Sequence, residues 1–489
     1  MKHVWTLAIG LLLMGQAVGQ DTRAGFQLTF SPEVSDKPFT GRVLIMLGSG
    51  GEPRNGPNWF NPSPFFAKDV KDWKPGETIV VGSEAIGYPG KLEQLPAKEY
   101  TVQAVMDLDT ANSHRIGSAP GNAYSKPVKA TLNGQQFFKL ALHIDQVVKE
   151  NPPKDSERTR FIEIESKLLS QFHGKPIKMR AGVKLPKSYA TSDKKYPVIY
   201  EIPGFGGNHR SVGRDPWTPN MPVEMLYVVL DPDCRTGHHV FADSVNNGPY
   251  GQALIEELIP AIEKQFRGIG QPTARFLTGH SSGGWSSLWL QVTYPDFFGG
   301  TWSTAPDPVD FRDFQRINIY DPSANMFTDA SGAKRPLARR GDTPMIYYKP
   351  FSDMEVVMGR GGQLFSFEAV FSPKDGNGQP RQLWNRETGV IDQETARYWE
   401  KYDIRLQLER NWATLGPKLK GKIHVFMGDK DTFYLEGATK LLKESLAKLG
   451  SDAVVVIVPG KDHGSLMTAD VLKRISTEMA AQFQKNHPE

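Results

Sequence analysis

A serine lies at the centre of the sequence Gly279-His280-Ser281-Ser282-Gly283-Gly284. An apolar run that begins at Arg275 precedes it, and a helix-like apolar pattern follows it. A sharp turn from strand to helix lifts such a serine above the sheet, and glycines two residues before and after it leave the room that the turn needs. The first N–H groups of the helix then point towards a developing oxyanion. The pattern indicates that Ser281 is a nucleophile in acyl transfer.

An acid for this chemistry is expected after a later strand. The chain contains 47 glycines, so the serine motif alone is weak evidence and needs partners elsewhere. The strand-like run IHVFMG ends at Gly428, and two acids follow it, Asp429 and Asp431. We prefer Asp431, because it has left the strand and can reach across to a histidine. Asp429, nearer the strand end, is the alternative and is better suited to supporting the turn.

A histidine follows the last strand-like run of the chain. After VVVIVPG comes Lys461-Asp462-His463-Gly464-Ser465, in which Gly464 leaves space for the imidazole ring. Neutral imidazole can accept the serine proton and later give it to the leaving alcohol. We therefore expect His463 to be the general base.

A glycine-rich loop upstream can supply oxyanion donors. The run VIYEI leads into Pro203-Gly204-Phe205-Gly206-Gly207. Its place in the chain predicts that the backbone N–H of Phe205, with that of Ser282, faces the oxyanion. The order of oxyanion loop, serine, acid and histidine is that of an α/β-hydrolase. Further candidates for contact with substrate are Gly204, Gly206, His280 and Asp243.

The elements that must position these residues alternate along the second part of the chain. Apolar, β-branched runs typical of buried strands are PVIYEIP, LYVVLDP, ARFLTG, GKIHVFMGD and DAVVVIVPG, with helical patterns between them. This alternation predicts a mostly parallel sheet covered on both faces, with the reactive groups at the carboxyl ends of its strands. From about 303 to 419 the alternation breaks, and we expect an insertion that walls the pocket.

The first part of the chain has a different character. Short strand-like runs such as FQLTF, GRVLIML and EYTVQAVMDL are separated by Gly, Pro and Asn clusters, which predicts an all-β, immunoglobulin-like sandwich. The aromatic stretch from Asn58 to Pro62 is interpreted as packing rather than as a sugar-binding patch. A charged linker, VVKENPPKDSERTR, follows. The predicted units are residues 20–150 and residues 151–489 with the insertion at about 303–419.

The N-terminus predicts export. Lys2 and His3 precede an apolar run from Val4 to Met14, and small residues follow as far as Gly19. This is the layout of a signal peptide at residues 1–19, cleaved after Gly19, and the run is short for a membrane span. We therefore expect a secreted or periplasmic protein with no membrane span after signal removal.

Charge and composition exclude several classes of partner. With 58 Lys and Arg against 54 Asp and Glu and no basic run, nothing favours nucleic acid. The only cysteine is Cys234, so no intramolecular disulfide can form. His238 and His239 lie among acids, but adjacent histidines on a loop rarely bind one ion, and serine chemistry needs none. We expect neither metal nor cofactor, and the oligomeric state stays open.

Several segments resemble the esterase D group of α/β-hydrolases, which includes enterochelin esterases, feruloyl and acetyl-xylan esterases, and S-formylglutathione hydrolase. The matching segments are KLPKSYATSDKKYPVIYEIPGFGG, EELIPAIEKQF, GHSSGGWSSLWLQVTYPDFFGG, GDKDTFY and KDHGS. The resemblance implies that Ser281 is the nucleophile, Asp431 the acid and His463 the base. A preceding β-sandwich is similar to the enterochelin-esterase arrangement. Pro203 departs from the His-Gly that often opens the family's oxyanion loop.

The expected function is that of a serine esterase acting on carboxylic esters. Carbohydrate-linked acyl or aromatic esters and siderophore lactones are both open as substrates. A serine peptidase of the oligopeptidase type shares the order of residues, but the sequence contains no repeats of the propeller that usually accompanies it. The other alternative is a non-catalytic glycan-binding protein with a vestigial hydrolase domain.

Overall fold

The N-terminal part of the molecule is built from strands, with two short 3-10 turns at Pro53–Asn55 and Leu92–Gln94. The computed structural model describes residues 25–218 and 221–488, so the predicted signal peptide lies outside the described residues. The all-β prediction is confirmed. The nine strands are β1 (Gly25–Phe30), β2 (Phe39–Gly48), β3 (Phe65–Trp73), β4 (Ile79–Val81), β5 (Ile86–Tyr88), β6 (Lys98–Met106), β7 (Ala123–Ser125), β8 (Val128–Leu132) and β9 (Lys139–Val147).

These nine strands form one hydrogen-bonded network that is buried on both sides of its central strands. The order is β4-β1-β9-β7-β6-β2-β3-β5, and β8 also pairs with β6. Because successive side chains of a strand point to opposite faces, β2 sends Val43 and Ile45 into the core of this domain. Leu44 and Met46 point the other way, into a core shared with the C-terminal part. The two parts of the chain are therefore packed together through an apolar interface.

The C-terminal part contains an eight-stranded, mostly parallel sheet. Its order is β10-β11-β13-β12-β18-β19-β22-β23, in which β10 pairs antiparallel with β11, and β11 with β13. The strands are β10 (Thr159–Ser166), β11 (Ile177–Lys184), β12 (Val198–Ile202), β13 (Leu226–Leu230), β18 (Arg275–His280), β19 (Gly300–Thr304), β22 (Ile423–Gly428) and β23 (Val454–Val458). The predicted division at residue 150 falls in the connection between β9 and β10, and it stays a prediction.

Helices cover both faces of this sheet. The side chain of Leu277 in β18 lies in the apolar core that includes α3, and Phe276 lies in the core against α10. Such two-sided burial explains why these two consecutive residues are both apolar. The helices are α1 (Lys167–His173), α2 (Tyr250–Ala253), α3 (Ile259–Gln265), α4 (Ser282–Thr293), α9 (Glu436–Lys448) and α10 (Ala469–Asn486). Two short antiparallel pairs are β14 (Asp233–Cys234) with β15 (Gly237–His238), and β16 (Asp243–Ser244) with β17 (Gly248–Pro249).

The segment between β19 and β22 is folded and packs around aromatic side chains. Phe311, Phe371 and Trp399 are buried against one another, which explains why a stretch rich in Asp, Arg and Gly is ordered. Among the described residues, no helix is both long enough and apolar enough to span a membrane. The elements of this insertion are β20 (Pro336–Arg340), β21 (Thr343–Tyr347), α5 (Tyr348–Met358), α6 (Gln363–Phe371), α7 (Gln393–Trp399) and α8 (Ile404–Leu419).

Candidate active site

Ser281 occupies a sharp turn between β18 and α4. Its backbone has φ 61° and ψ −126°, a region that non-glycine residues rarely enter. The flanking glycines are required by contact distances. A Cβ on Gly279 would lie 2.2 Å from the carbonyl oxygen of Gly283, and one on Gly283 would lie 1.8 Å from that of Ile202. The sequence Gly-x-Ser-x-Gly therefore folds here as a strained turn that presents the Ser281 side chain above the sheet.

His463 and Asp431 lie together at the same edge of the sheet. His463 Nδ1 is 2.7 Å from Asp431 Oδ2. The Asp431 side chain is fully buried, and its Oδ1 accepts the N–H of Phe433 at 2.8 Å. Burial alone would lower the pKa of His463, but the hydrogen bond and the charge of Asp431 outweigh it, so the pKa is raised. This carboxylate can hold the ring and stabilise its protonated form.

Asp429, the alternative acid, has a different partner. Its Oδ1 accepts the N–H of Gly460 at 2.6 Å and so ties the end of β22 to the loop that follows β23. Asp431 is the acid whose carboxylate contacts His463. Its backbone carbonyl also accepts a hydrogen bond of 2.9 Å from Arg339 Nε. Asp429 thus supports a turn, whereas Asp431 faces the imidazole.

The hydroxyl of Ser281 points towards a carboxyl group that sequence reasoning did not single out. Asp307 Oδ1 lies 3.5 Å from Ser281 Oγ. Within the described part of the chain, no hydrogen bond joins Ser281 to His463, and such bonds are often long in free enzymes and tighten when substrate binds. Burial raises the pKa of the Asp307 carboxyl to about 6, although its hydrogen bond from Ser282 and the charge of His463 act in the opposite direction.

A signal for Asp307 was present in the sequence. Asp307 is the third residue after Thr304, where β19 ends, and Asp431 is the third residue after Gly428, where the neighbouring β22 ends. The rule that selected Asp431, an acid shortly after a core strand, therefore also selects Asp307. It was missed because Ala305-Pro306-Asp307 was assigned to the insertion.

The glycine-rich loop after β12 passes close to Ser281. A Cβ on Gly204 would lie 3.2 Å from the Ser281 Cβ and 3.8 Å from its Oγ. The loop turns through a hydrogen bond of 2.9 Å from the Gly207 N–H to the Gly204 carbonyl, with Gly206 at φ 78°. This turn brings Gly204 and the start of the Phe205 peptide to the side of the nucleophile, and Gly206 lies farther along the loop.

His280 and Asp243, which the sequence also suggests as contacts for the substrate, lie in different parts of the structure. The His280 ring is 4.5 Å from the His463 ring, and its Nδ1 is 3.0 Å from Thr304 Oγ1. Burial lowers the pKa of His280 to about 3, so the ring is neutral. Asp243, in contrast, bonds to Tyr294 beyond the far end of α4, about 18 Å along the helix from Ser281. The structure does not bring Asp243 to this site.

The N-terminal domain forms one wall of the site. Trp59 packs 5.3 Å from Phe205, and the next residue, Phe60, lies 6.4 Å from Phe433, whose ring packs 5.0 Å from His463. A cavity of about 210 Å³ lies between the domains behind this loop. Its walls include Arg54, Trp59, His114, Arg115, Phe205, Met354 and Glu355.

The described residues contain no group of three or more His, Cys, Asp and Glu side chains that could hold a metal ion. His238 and His239 are both buried. His238 Nε2 is 2.8 Å from the carbonyl oxygen of Pro203, and the His239 ring is stacked on Tyr250 with 3.6 Å between centroids. These contacts use the two histidines in packing beside the glycine-rich loop.

Comparison with known proteins bears on the same half of the chain. Three similar solved structures are a ferulic acid esterase, an S-formylglutathione hydrolase from Agrobacterium tumefaciens and a fluorophosphonate-binding serine hydrolase F from Staphylococcus aureus. Their sequence identities are 16%, 15% and 14%, and their TM-scores are 0.40, 0.42 and 0.39. They cover 67%, 66% and 66% of this chain, and 99%, 95% and 99% of their own. No curated protein matches the sequence.

A family model supplies the assignment. The model of the esterase family, described as "Putative esterase", matches residues 175–449, a segment that contains Ser281 and Asp431 and ends before His463. The match extends over more than half of the chain. It confirms the predicted resemblance, the α/β-hydrolase fold and the prediction of an ester hydrolase. The chain therefore belongs to the esterase family of α/β-hydrolases.

Proposed function

We propose that this protein is an exported serine esterase in which Ser281, His463 and Asp431 hydrolyse carboxylic esters through an acyl-enzyme. The observation that carries the proposal is the backbone of Ser281, at φ 61° between two glycines that admit no Cβ, in a chain whose His463 bonds to a buried carboxylate. A strained turn of this kind persists only where the surrounding structure holds it, and such strain is concentrated at functional sites.

The reaction follows from the chemistry of these groups. His463 Nε2 accepts the proton as Ser281 Oγ attacks the ester carbonyl carbon, and the carbonyl oxygen becomes an oxyanion. The backbone N–H groups of Phe205 and Ser282 stabilise that charge. The imidazolium then gives its proton to the leaving alcohol, and an acyl-enzyme on Ser281 remains. Water, activated in the same way by His463, releases the acid and restores the hydroxyl.

Asp431 has a supporting role in this reaction. Its carboxylate accepts a hydrogen bond from the Nδ1–H of His463, which fixes the tautomer in which Nε2 is free to act as the base. The charge also stabilises the imidazolium formed after attack. No step of this mechanism needs a metal ion or an organic cofactor.

The substrate and the location are part of the proposal. Carbohydrate-linked acyl or aromatic esters and siderophore lactones are the substrate classes that the family resemblance favours. The charged and apolar start of the chain, Lys2 to Met14, favours export with cleavage after Gly19. Expression in a bacterial host followed by N-terminal sequencing of the periplasmic fraction tests this part. A mature chain that begins at Gln20 agrees with it, and an uncleaved cytoplasmic chain contradicts it.

Covalent labelling tests the nucleophile. We expect a fluorophosphonate to label the purified wild-type protein on Ser281 and to leave Ser281→Ala unlabelled. Hydrolysis of p-nitrophenyl esters by that variant should fall by about 10⁶ in kcat, to the limit of detection. Ser331→Ala is the matched control, because this serine is exposed in a surface turn. It should keep full labelling and full activity.

Three outcomes would contradict the proposal. Full ester hydrolysis by Ser281→Ala would exclude Ser281 as the nucleophile. Rapid cleavage of a proline-containing peptide amide, with little hydrolysis of any p-nitrophenyl ester, would instead identify a peptidase. A wild-type protein that neither labels nor hydrolyses either substrate would support the non-catalytic alternative.

A further inference from the structure

A second carboxyl group lies beside the proposed nucleophile and has no role in the mechanism above. Asp307 is 6% exposed, and its Oδ1 is 3.5 Å from Ser281 Oγ. Its backbone N–H donates to the Ser281 carbonyl at 3.2 Å, which fixes the position of the residue against the turn. A buried carboxyl group in contact with the reacting atom of an esterase requires an explanation, because burial disfavours its charged form.

The two oxygens of this carboxyl group have different surroundings. Oδ2 accepts a hydrogen bond of 2.5 Å from Ser282 Oγ and one of 3.4 Å from Gln363 Nε2. Oδ1 has only the long contact with Ser281 Oγ within the described part of the chain. The carboxyl group is therefore anchored through Oδ2, whereas Oδ1 faces the Ser281 hydroxyl and has no other donor among the described residues.

The reaction removes even that one donor. When the Ser281 hydroxyl gives its proton to His463 and becomes an ester oxygen, it can no longer donate to Oδ1. A buried carboxylate oxygen without a donor is costly. The α-carbon of the acyl group is one bond from the carbonyl carbon that Ser281 attacks, so a donor on the α-carbon falls within reach of Oδ1. A substrate can thus supply the missing hydrogen bond.

We infer that Asp307 is a specificity-determining residue, which selects acyl groups that carry a hydroxyl or ammonium donor on the α-carbon. This inference rests on the proposed function, because it assigns the acyl group to Ser281. The donor binds Oδ1, while Ser282 and Gln363 hold Oδ2. Acyl groups with a carboxylate at the same place are rejected, since two anions would meet in a buried site.

A purely structural role for Asp307 makes a different prediction. Its bond to Ser282 lies at the first residue of α4, where a carboxylate is favourable with the helix dipole. If that were its only purpose, replacing it would change the stability and the activity towards all esters by one common factor. A role in selection changes the ratio between esters with and without the donor.

The test uses three methyl esters of nearly equal size, which are lactate, alaninate and isobutyrate. The hydroxyl of lactate and the ammonium of alaninate replace one methyl group of isobutyrate. Each kcat/KM is divided by the rate constant of hydroxide-catalysed hydrolysis of the same ester, which removes intrinsic reactivity. We expect wild-type protein to prefer lactate or alaninate over isobutyrate by at least about 10-fold. Whichever ester is preferred, lactate or alaninate, identifies the donor as hydroxyl or ammonium.

Asp307→Asn and Asp307→Leu should reduce this preference to less than about 3-fold, a ratio measured within each variant so that any common change in the rate of hydrolysis cancels. Fluorophosphonate labelling of Ser281 in each variant shows whether the nucleophile still reacts. A wild-type protein that hydrolyses all three esters without preference would overturn the inference and leave the proposed function intact. A preference that persists in both variants would also overturn it. Absence of labelling and of hydrolysis in the wild type would overturn the proposed function itself.

Discussion

The indole ring of Trp59 packs 5.3 Å from the ring of Phe205, so a residue of the N-terminal domain supports the glycine-rich loop beside the nucleophile. The His114 ring packs 5.1 Å from the same Phe205 ring, and Arg115 donates a hydrogen bond to the carbonyl of Gly206. These three side chains all belong to the first domain. The conformation of the proposed oxyanion loop thus depends on the contact between the two domains.

Trp59→Ala tests that dependence. Without the indole, Phe205 loses a packing partner and its backbone N–H is held less firmly towards the oxyanion. Complete loss of an oxyanion donor costs about 10²–10³ in kcat, and partial misplacement should cost about 10-fold. The expected result is a lower kcat for p-nitrophenyl acetate with a smaller change in KM, since acetate is too small to fill the interdomain cavity.

Phe137→Ala is the matched control for this substitution. Phe137 is an aromatic residue of the same domain whose side chain is 60% exposed, so its loss should change neither kcat nor the melting temperature appreciably. A Trp59→Ala protein with wild-type kcat would show that the first domain does not position the loop.

Replacement of the two acids after β22 should separate their roles. Asp431→Asn removes the charge that holds His463, and the comparable change in a well-characterised serine hydrolase lowers kcat by about 10⁴. Asp429→Asn should lower kcat by less than about 3-fold, because that carboxylate bonds to Gly460 and not to the imidazole. The two variants differ by two positions in one turn and serve as controls for each other. A larger loss in Asp429→Asn than in Asp431→Asn would reverse the assignment.

The pH dependence of hydrolysis should report His463. Burial lowers its pKa, but the hydrogen bond and charge of Asp431, together with the more distant charge of Asp307, raise it above the usual value of about 6.5. A base must be neutral to accept a proton, so kcat/KM should rise with pH and reach half its maximum above pH 6.5. In Asp431→Asn the largest of the interactions that raise the pKa of His463 are gone, so the midpoint should move to lower pH.

The measurement is kcat/KM from about pH 5 to about pH 9 on an ester without ionisable groups. Ionic strength must be held constant, because the interaction is electrostatic. A wild-type midpoint at or below pH 6.5 would contradict the expected shift. An unchanged midpoint in the Asp431→Asn protein would show that a different group controls the profile.

Most strands of the catalytic sheet were predictable because their signals are local. β12, β13, β22 and β23 are apolar runs, and a chemically distinctive residue follows several of them within a few positions, as His463 follows β23. The central strand β19 was not predicted, because its sequence, GTWST, carries no such run. The run GRVLIML also indicates a strand apolar on both faces. Which partner covers the second face was not predictable, because Leu44 and Met46 meet helices of the insertion about 300 residues later in the chain.

The residues that sequence reasoning missed are those defined by long-range contact. Asp307 was recognisable as an acid after a strand, but its proximity to Ser281 depends on the backbone of Ala305 at φ 39°. Trp59 was assigned to packing, and it does pack, but its partner is Phe205 at the site and not the core of its own domain. Asp243 was predicted to lie at the site because its loop follows a core strand. Its carboxylate instead accepts a hydrogen bond from Tyr294, beyond the C-terminal end of α4.

Gly283, the second glycine of the Gly-x-Ser-x-Gly motif, provides a test of the turn itself. Gly283 lies in α4, where helix propensity alone would make Gly283→Ala stabilising by about 1 kcal/mol. Its Cβ, however, would lie 1.8 Å from the Ile202 carbonyl oxygen and 2.9 Å from that of Pro203, so β12 and the turn would have to separate. We expect the steric effect to dominate, with unfolding free energy lowered by at least about 2 kcal/mol and fluorophosphonate labelling strongly slowed.

Gly376→Ala is the control, since a Cβ there meets nothing within 4 Å, and its stability should change by less than about 0.5 kcal/mol. Denaturant unfolding of both variants measures whether each substitution lowers or raises the free energy of unfolding. A stabilised Gly283→Ala protein would mean that β12 and α4 are not in contact at this turn.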